Sequence, residues 1–157
     1  MSAASRPAAS PSTSLTLTLN GASTTLSLAD LAALPHKSVT VHNMHTKTDE
    51  TYAGVPLAAL LASHGAPFDK STESAMLHSY LVATGTDKYS VIYSTVEVFP
   101  EYHTGDVIVA DQINGKPIPP DQGALKLIST EDAKPMRWVR NLTSVSLISP
   151  ADLSSTI

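Results

Sequence analysis

Apolar and polar residues alternate where the patterned sequence begins. Leu15, Leu17 and Leu19 fall on one side and Thr16 and Thr18 on the other, which is the period of a half-buried strand. Asn20-Gly21 follows, a hairpin signal because both positions tolerate positive φ, and a second short strand is expected from Thr24 to Leu26. Ser27 then caps a short helix, with Asp30 three residues on, Leu28, Leu31 and Leu34 on one face and Pro35 as the stop. Residues 38–42 alternate again as a strand. Residues 55–64 carry the clearest helical pattern: Pro56 suits the first turn, Leu57, Leu60 and Leu61 form the apolar stripe, and Gly65 suits the C-terminal left-handed position. Residues 66–76 read as a polar loop.

Further on, the runs 77–83 and 89–94 are β-rich and bracket a Gly85-Thr86-Asp87-Lys88 turn, with a helix or turn over 95–99. Residues 106–113 form a buried strand that ends at a second hairpin signal, Asn114-Gly115; strands over 125–128 and 137–148 complete the list. Two short helices among seven or eight short strands, without regular βα alternation, predict a mixed, β-rich α+β fold. The chain divides into an Ala/Ser/Pro-rich flexible lead over 1–14, one domain over 15–148 and a tail over 149–157.

Composition narrows the classes of function. The 157 residues are 42% hydrophobic, enough for one core, and only 15% charged. A net charge of -4 argues against nucleic acid, and no apolar stretch approaches the length of a membrane span. With no cysteine, thiolate nucleophiles, disulfides and Cys-ligated metal sites are excluded. The lead suits the start of a mature exported protein and also that of a cytosolic protein with a tail; taken with the family resemblance, a periplasmic or otherwise exported location is expected.

Candidate chemistry concentrates in three places. Lys134-Pro-Met-Arg-Trp-Val-Arg140 holds the single tryptophan between Arg137 and Arg140. An aromatic plane beside guanidinium groups suits a flat, polar or anionic ligand; a core tryptophan with arginines reaching solvent is the alternative. Asp111 ends the apolar run Val107-Ile-Val-Ala110, where a carboxylate is costly unless it is paired, with Arg137 or Arg140, or faces a ligand. Glu97 sits comparably, and Tyr89 and Tyr93 share a strand face that could wall an aromatic slot. His42 and His45, followed by Asp49 and Glu50, invite a metal reading, yet they need not converge, and surface histidines are the simpler expectation.

Four segments in order carry a resemblance to a family. They are Thr51-Tyr-Ala-Gly-Val-Pro-Leu-Ala-Ala-Leu-Leu61, Asp87-Lys-Tyr-Ser-Val91 leading to Glu97, Val107-Ile-Val-Ala-Asp-Gln-Ile-Asn-Gly-Lys-Pro117, and Gly123-Ala-Leu-Lys-Leu-Ile128 running on to Arg137-Trp-Val-Arg140. Together they resemble the molybdopterin-binding domain of the sulfite oxidase family, in its small single-domain branch. That resemblance implies a mixed α+β core shaped around a pterin. In catalytic members a cysteine, just after the strand that here ends in Val41, ligates molybdenum. This chain has His42-Asn43-Met44 there, and its Asp87-Lys88-Tyr89 replaces the family's Asp-Gly-Tyr turn.

Some small members without the cysteine bind free pterins, so the resemblance implies a non-catalytic pterin-binding module that senses or carries a pterin, with no metal, and signals to a protein partner. Its contacts would be Glu97 or Asp111 on the aminopyrimidinone edge, Arg137 or Arg140 on acceptors, Trp138 or Tyr89 on the flat face, and His42 at the vacated ligand position. The alternatives are a molybdopterin oxidoreductase subunit in which His42 or His45 replaces the thiolate, and a protein-interaction domain on a relic fold.

Overall fold

The computed structural model describes residues 11–19, 21–44, 46–64 and 76–149. Eleven strands among these residues form two packed sheets. β1 (Ser14–Leu19) and β2 (Ala22–Ser27) make the expected antiparallel hairpin, with Gly21 at φ 91°. β1 also pairs in parallel with β11 (Leu142–Ile148), so the two ends of the domain lie side by side. β5 (Tyr80–Gly85) and β6 (Ser90–Ser94) complete this first sheet, in the order β2-β1-β11-β5-β6. Its β5 strand starts later than the pattern suggested, because a helical turn occupies Met76 to Leu77.

The second sheet runs β10 (Val139–Arg140), β9 (Lys126–Ser129), β7 (Val107–Ile113), β4 (Thr48–Pro56), β3 (Lys37–Asn43), with β8 (Lys116–Pro117) folded back on β7. β4 is the main departure from the sequence pattern. Its first half, Thr48-Asp-Glu-Thr51, is too polar to read as a strand, yet it pairs with β3, and β7 joins β4 on the other side from Tyr52 onward. It extends through Val55 and Pro56, so helix α2 is Leu57–Ser63 rather than 55–64. Helix α1 (Leu28–Ala32) carries the expected capping box between Ser27 and Asp30. The expected C-terminal position of α2, Gly65, and the loop 66–75 lie outside the described residues, as do Asn20 and His45.

The expected strand 137–148 is in fact a 3-10 turn (Pro135–Arg137), then β10, then β11. Asn141 divides it, with φ 52°. At this corner the chain leaves the second sheet for the first, and the neighbouring backbone groups are satisfied from elsewhere: Asn141 N–H donates to Gln122, Thr86 N–H donates to Asn141, and Leu142 N–H donates to Leu125. Gly123 packs on this corner, where a Cβ would lie 1.9 Å from Asn141 Oδ1.

Burial follows from the two sheets. The main core lies between them, with Leu15, Leu17, Leu81, Val145 and Leu147 facing Val55, Val109, Leu127 and Val139, and α2 adding Leu57, Leu60 and Leu61. β7 is buried on both faces, which is why its sequence reads as a continuous apolar run. Val107 and Val109 point into the main core, whereas Ile108 and Ala110 join a smaller cluster on the opposite face, with Val39, Tyr52, Ile118 and Ile128. Trp138 packs against that smaller cluster. The register between β4 and β7 shifts at Ala53/Gly54, leaving Asp111 as the extra residue of a bulge, and the β7 backbone then crosses so close that a Cβ on Gly54 would sit 2.2 Å from the Val109 carbonyl oxygen.

Candidate functional site

The small outer cluster leaves a cleft beside it of about 520 Å³. One wall is the end of β3, Thr40 to Asn43, with Met44 after it; the other is Ser129, Thr130 and the segment that carries Asp132, Pro135 and Trp138, with Lys126 and Arg140 from β9 and β10. Trp138 is half-buried and fixed at its polar edge, where indole Nε1 donates to the Ser129 carbonyl at 2.8 Å. Its ring meets Tyr52 edge-on, at 6.1 Å between centroids and 79° between planes.

Lys126 is the unusual residue here. Its side chain belongs to a strand whose four residues are all buried, and only 5% of the residue is exposed. The ammonium lies 4.9 Å from the Tyr52 ring centre and 5.4 Å from that of Trp138. It donates to Tyr52 Oη at 2.9 Å and to Gln122 Oε1 at 2.6 Å. Burial, and then the nearby Arg140 charge, pull its pKa down to about 8, against a partial pull upward from Glu50 and Asp121. Tyr52 passes its own proton towards Glu50 at 3.0 Å, and Asn43 donates to the other oxygen of Glu50, so a polar chain runs from the cleft to its rim. Burial, reinforced by Glu50, raises the Tyr52 pKa and keeps that hydroxyl protonated. Among the described residues, neither Lys126 nor Arg140 has a carboxylate within ion-pair distance.

Of the residues the sequence singled out, the cleft gathers His42, Trp138 and Arg140. His42 stands at the rim with Nδ1 2.9 Å from Asp49 Oδ1. Arg137 lies behind the cleft and is fully engaged. Nε and one terminal nitrogen grip Asp132 at 3.0 and 2.6 Å, both terminal nitrogens reach Glu97 at 3.0 Å, and the remaining N–H goes to the Ile92 carbonyl at 3.1 Å. That uses all five guanidinium donors. The same group stacks on Tyr93 at 4.3 Å, and its two carboxylate partners raise its pKa further. Glu97 is correspondingly held below the usual carboxylate range, chiefly by the Arg137 hydrogen bond; it also closes a capping box with Ser94.

Tyr89 and Tyr93 do share a face, but each hydroxyl donates to a backbone carbonyl, of Met136 and Arg137 respectively, so together they pin the 135–138 segment rather than wall a slot. Asp111 pairs with neither arginine. Its carboxylate meets His36 Nε2 at 2.9 and 3.0 Å, and His36 Nδ1 meets the Leu34 carbonyl at 2.6 Å. Burial lowers the His36 pKa, but the Asp111 and Leu34 hydrogen bonds outweigh it, and the net shift is upward. Lys126 and Tyr52 escaped the sequence reading, although a lysine inside Leu125–Ile128 breaks an apolar run just as Asp111 does. Among the described residues, no three His, Asp or Glu side chains are grouped as a metal site would require.

The geometry therefore defines a two-sheet domain with a cationic, aromatic cleft on the outer face of one sheet. A family model for the oxidoreductase molybdopterin binding domain matches residues 5–151, and the chain belongs to that family. Among solved structures, the fold is similar to the sulfane dehydrogenase SoxCD from Paracoccus pantotrophus, with a TM-score of 0.65 at 18% identity. The match covers 85% of this chain and 37% of that one, so this chain corresponds to about a third of that protein. No curated protein sequence matches at a significant level.

Proposed function

We propose that this domain is a non-catalytic pterin-binding module. The observation that carries the reading is the cleft itself: a half-buried tryptophan and two cations without carboxylate partners among the described residues line about 520 Å³, room for a heteroaromatic ligand. His42-Asn43-Met44 opens onto the same cleft, at the position where catalytic relatives present a cysteine. The donor set there fits a planar anion and does not fit a molybdenum thiolate, because the sequence contains no cysteine.

In this reading Trp138 covers a ring face, and Lys126 and Arg140 donate to carbonyl, ring-nitrogen or anionic acceptors. Asp132, the carboxylate that does line the cleft, keeps lone pairs beyond those given to Arg137 and supplies the acceptor for the aminopyrimidinone edge. Glu97, Tyr89 and Arg137 support the wall from behind, through the contacts of the 132–138 segment.

Since Trp138 is the only tryptophan, its emission reports this cleft alone. Anaerobic titration with a dihydropterin should quench it saturably at micromolar ligand, with Trp138→Phe as the optical control. A flat titration with both reduced and oxidised pterins removes the reading. Molybdopterin held by His42 is the second reading, favoured by the place of His42 at the rim, where Asp49 engages Nδ1, one of its two ring nitrogens; imidazole is a poor substitute for a thiolate on oxidised molybdenum. Molybdenum retained stoichiometrically by protein from a cofactor-competent host, and lost in His42→Ala, would favour it.

A further inference from the structure

We infer that the Lys126 ε-amine is a carbonyl-capturing group, which holds a planar, anionic aldehyde in the cleft as a reversible imine. The inference rests on the same cleft as the pterin reading, but not on the ligand being a pterin. Three features of the site support it. First, the amine is placed on the cleft wall between the Tyr52 and Trp138 rings, held by two hydrogen bonds to neutral acceptors. An ion-paired lysine, such as Lys37 with Asp106, is kept charged and unreactive; Lys126 has no carboxylate within ion-pair distance among the described residues. Second, Arg140 lines the same cleft with no carboxylate partner of its own among the described residues; it both disfavours a second positive charge on Lys126 and offers a counterion to an anionic ligand group. Third, the Tyr52 hydroxyl, backed by Glu50, stands one hydrogen bond from the amine nitrogen, where a proton must be delivered and returned.

The step balances without an oxidant. The neutral amine adds to the carbonyl carbon, and the nitrogen proton passes to the carbonyl oxygen to give a carbinolamine. Loss of water then leaves the C=N bond, and hydrolysis reverses it. With a pKa near 8, about half of the Lys126 side chains are neutral at pH 8, a fraction roughly a hundredfold above that of an ordinary lysine.

The test uses the whole chain with pyridoxal 5′-phosphate at pH 8, borohydride reduction and peptide mapping by mass spectrometry. Lys126 should label at least tenfold faster than any of the six other lysines, and Arg140→Gln should slow labelling by the phosphate ester more than labelling by pyridoxal. Labelling at Lys126 no faster than at the exposed lysines overturns the inference, and an equal effect of Arg140→Gln on both aldehydes overturns the role of Arg140. The two readings fail separately. Selective labelling with a flat pterin titration removes the pterin alone, and pterin quenching with Lys126 unlabelled in the ligand-free protein removes the imine alone.

Discussion

Raising the pH should stabilise this domain over a range where most proteins gain little, and the cause is Lys126. In the unfolded chain a lysine titrates near 10.5; folded, Lys126 titrates near 8. Below pH 8 both states are charged, and the folded state bears the full cost of burying that charge, about 3 kcal/mol from the displacement of its pKa. Between pH 8 and 10.5 the unfolded chain binds more protons than the folded one, so stability rises with pH. Integrating the two titrations from pH 7 to 9.5 gives a gain of about 2 kcal/mol.

Other groups act elsewhere on the scale. His36, raised by Asp111 and Leu34, stabilises below its ordinary value and loses that contribution as pH rises through the raised one; Tyr52 and Tyr93, both raised, lose theirs only above pH 10. Urea unfolding of the wild type and Lys126→Met at half-unit steps from pH 7 to 9.5 isolates the lysine. The variant's loss of the bonds to Tyr52 and Gln122 shifts its curve uniformly, so the difference in slope is diagnostic. Parallel curves would show that Lys126 is hydrated and charged in the folded state, and would refute the reasoning.

Three other substitutions test the frame of the site. Arg137→Gln leaves Glu97 and Asp132, at 27% and 17% exposure, without their common partner; it should cost about 2–4 kcal/mol in urea unfolding. The same variant should lose the stability that Glu97 contributes above the ordinary carboxylate range and that the wild type loses as pH falls through the lowered value. Gly54→Ala should destabilise by more than about 3 kcal/mol or abolish folding, because the Val109 carbonyl and Ala110 Cα leave no room for a methyl group; circular dichroism melts decide it. Asp111→Asn should lower the melting temperature more at pH 5.5 than at pH 8, since the interaction it removes is strongest with a charged His36; an equal loss at both would contradict the raised His36 pKa.

Local rules acted through neighbours within a few residues, and those parts of the protein were readable from the chain. The Leu15–Leu19 alternation, the Gly21 turn, the Ser27/Asp30 capping box, the Leu57, Leu60 and Leu61 stripe and the doubly apolar β7 each follow from a period or a cap that the backbone enforces locally. The mixed α+β class, and the ordered segments that resemble the family, follow from the same information. Pairings between distant segments were decided only by the tertiary structure. β4 becomes a strand despite Thr48-Asp-Glu-Thr51 because β3 pairs with that half, while β7 pairs with Tyr52 to Pro56 on the other side. One apparent strand divides at Asn141 because its halves pair in different sheets.

The same holds for the site. Whether an arginine is available or locked depends on which carboxylates the fold brings to it: Arg137 meets Glu97 and Asp132, whereas Arg140, three residues on, meets no carboxylate among the described residues. Lys126 becomes chemically unusual for a comparable reason. Its neighbours in sequence are merely apolar; the burial that chiefly lowers its pKa, and the Arg140 charge that adds to it, come from the packing of other strands and turns around it. Charge and dielectric depend on distance in space, and distance in space is what a sequence read locally does not contain.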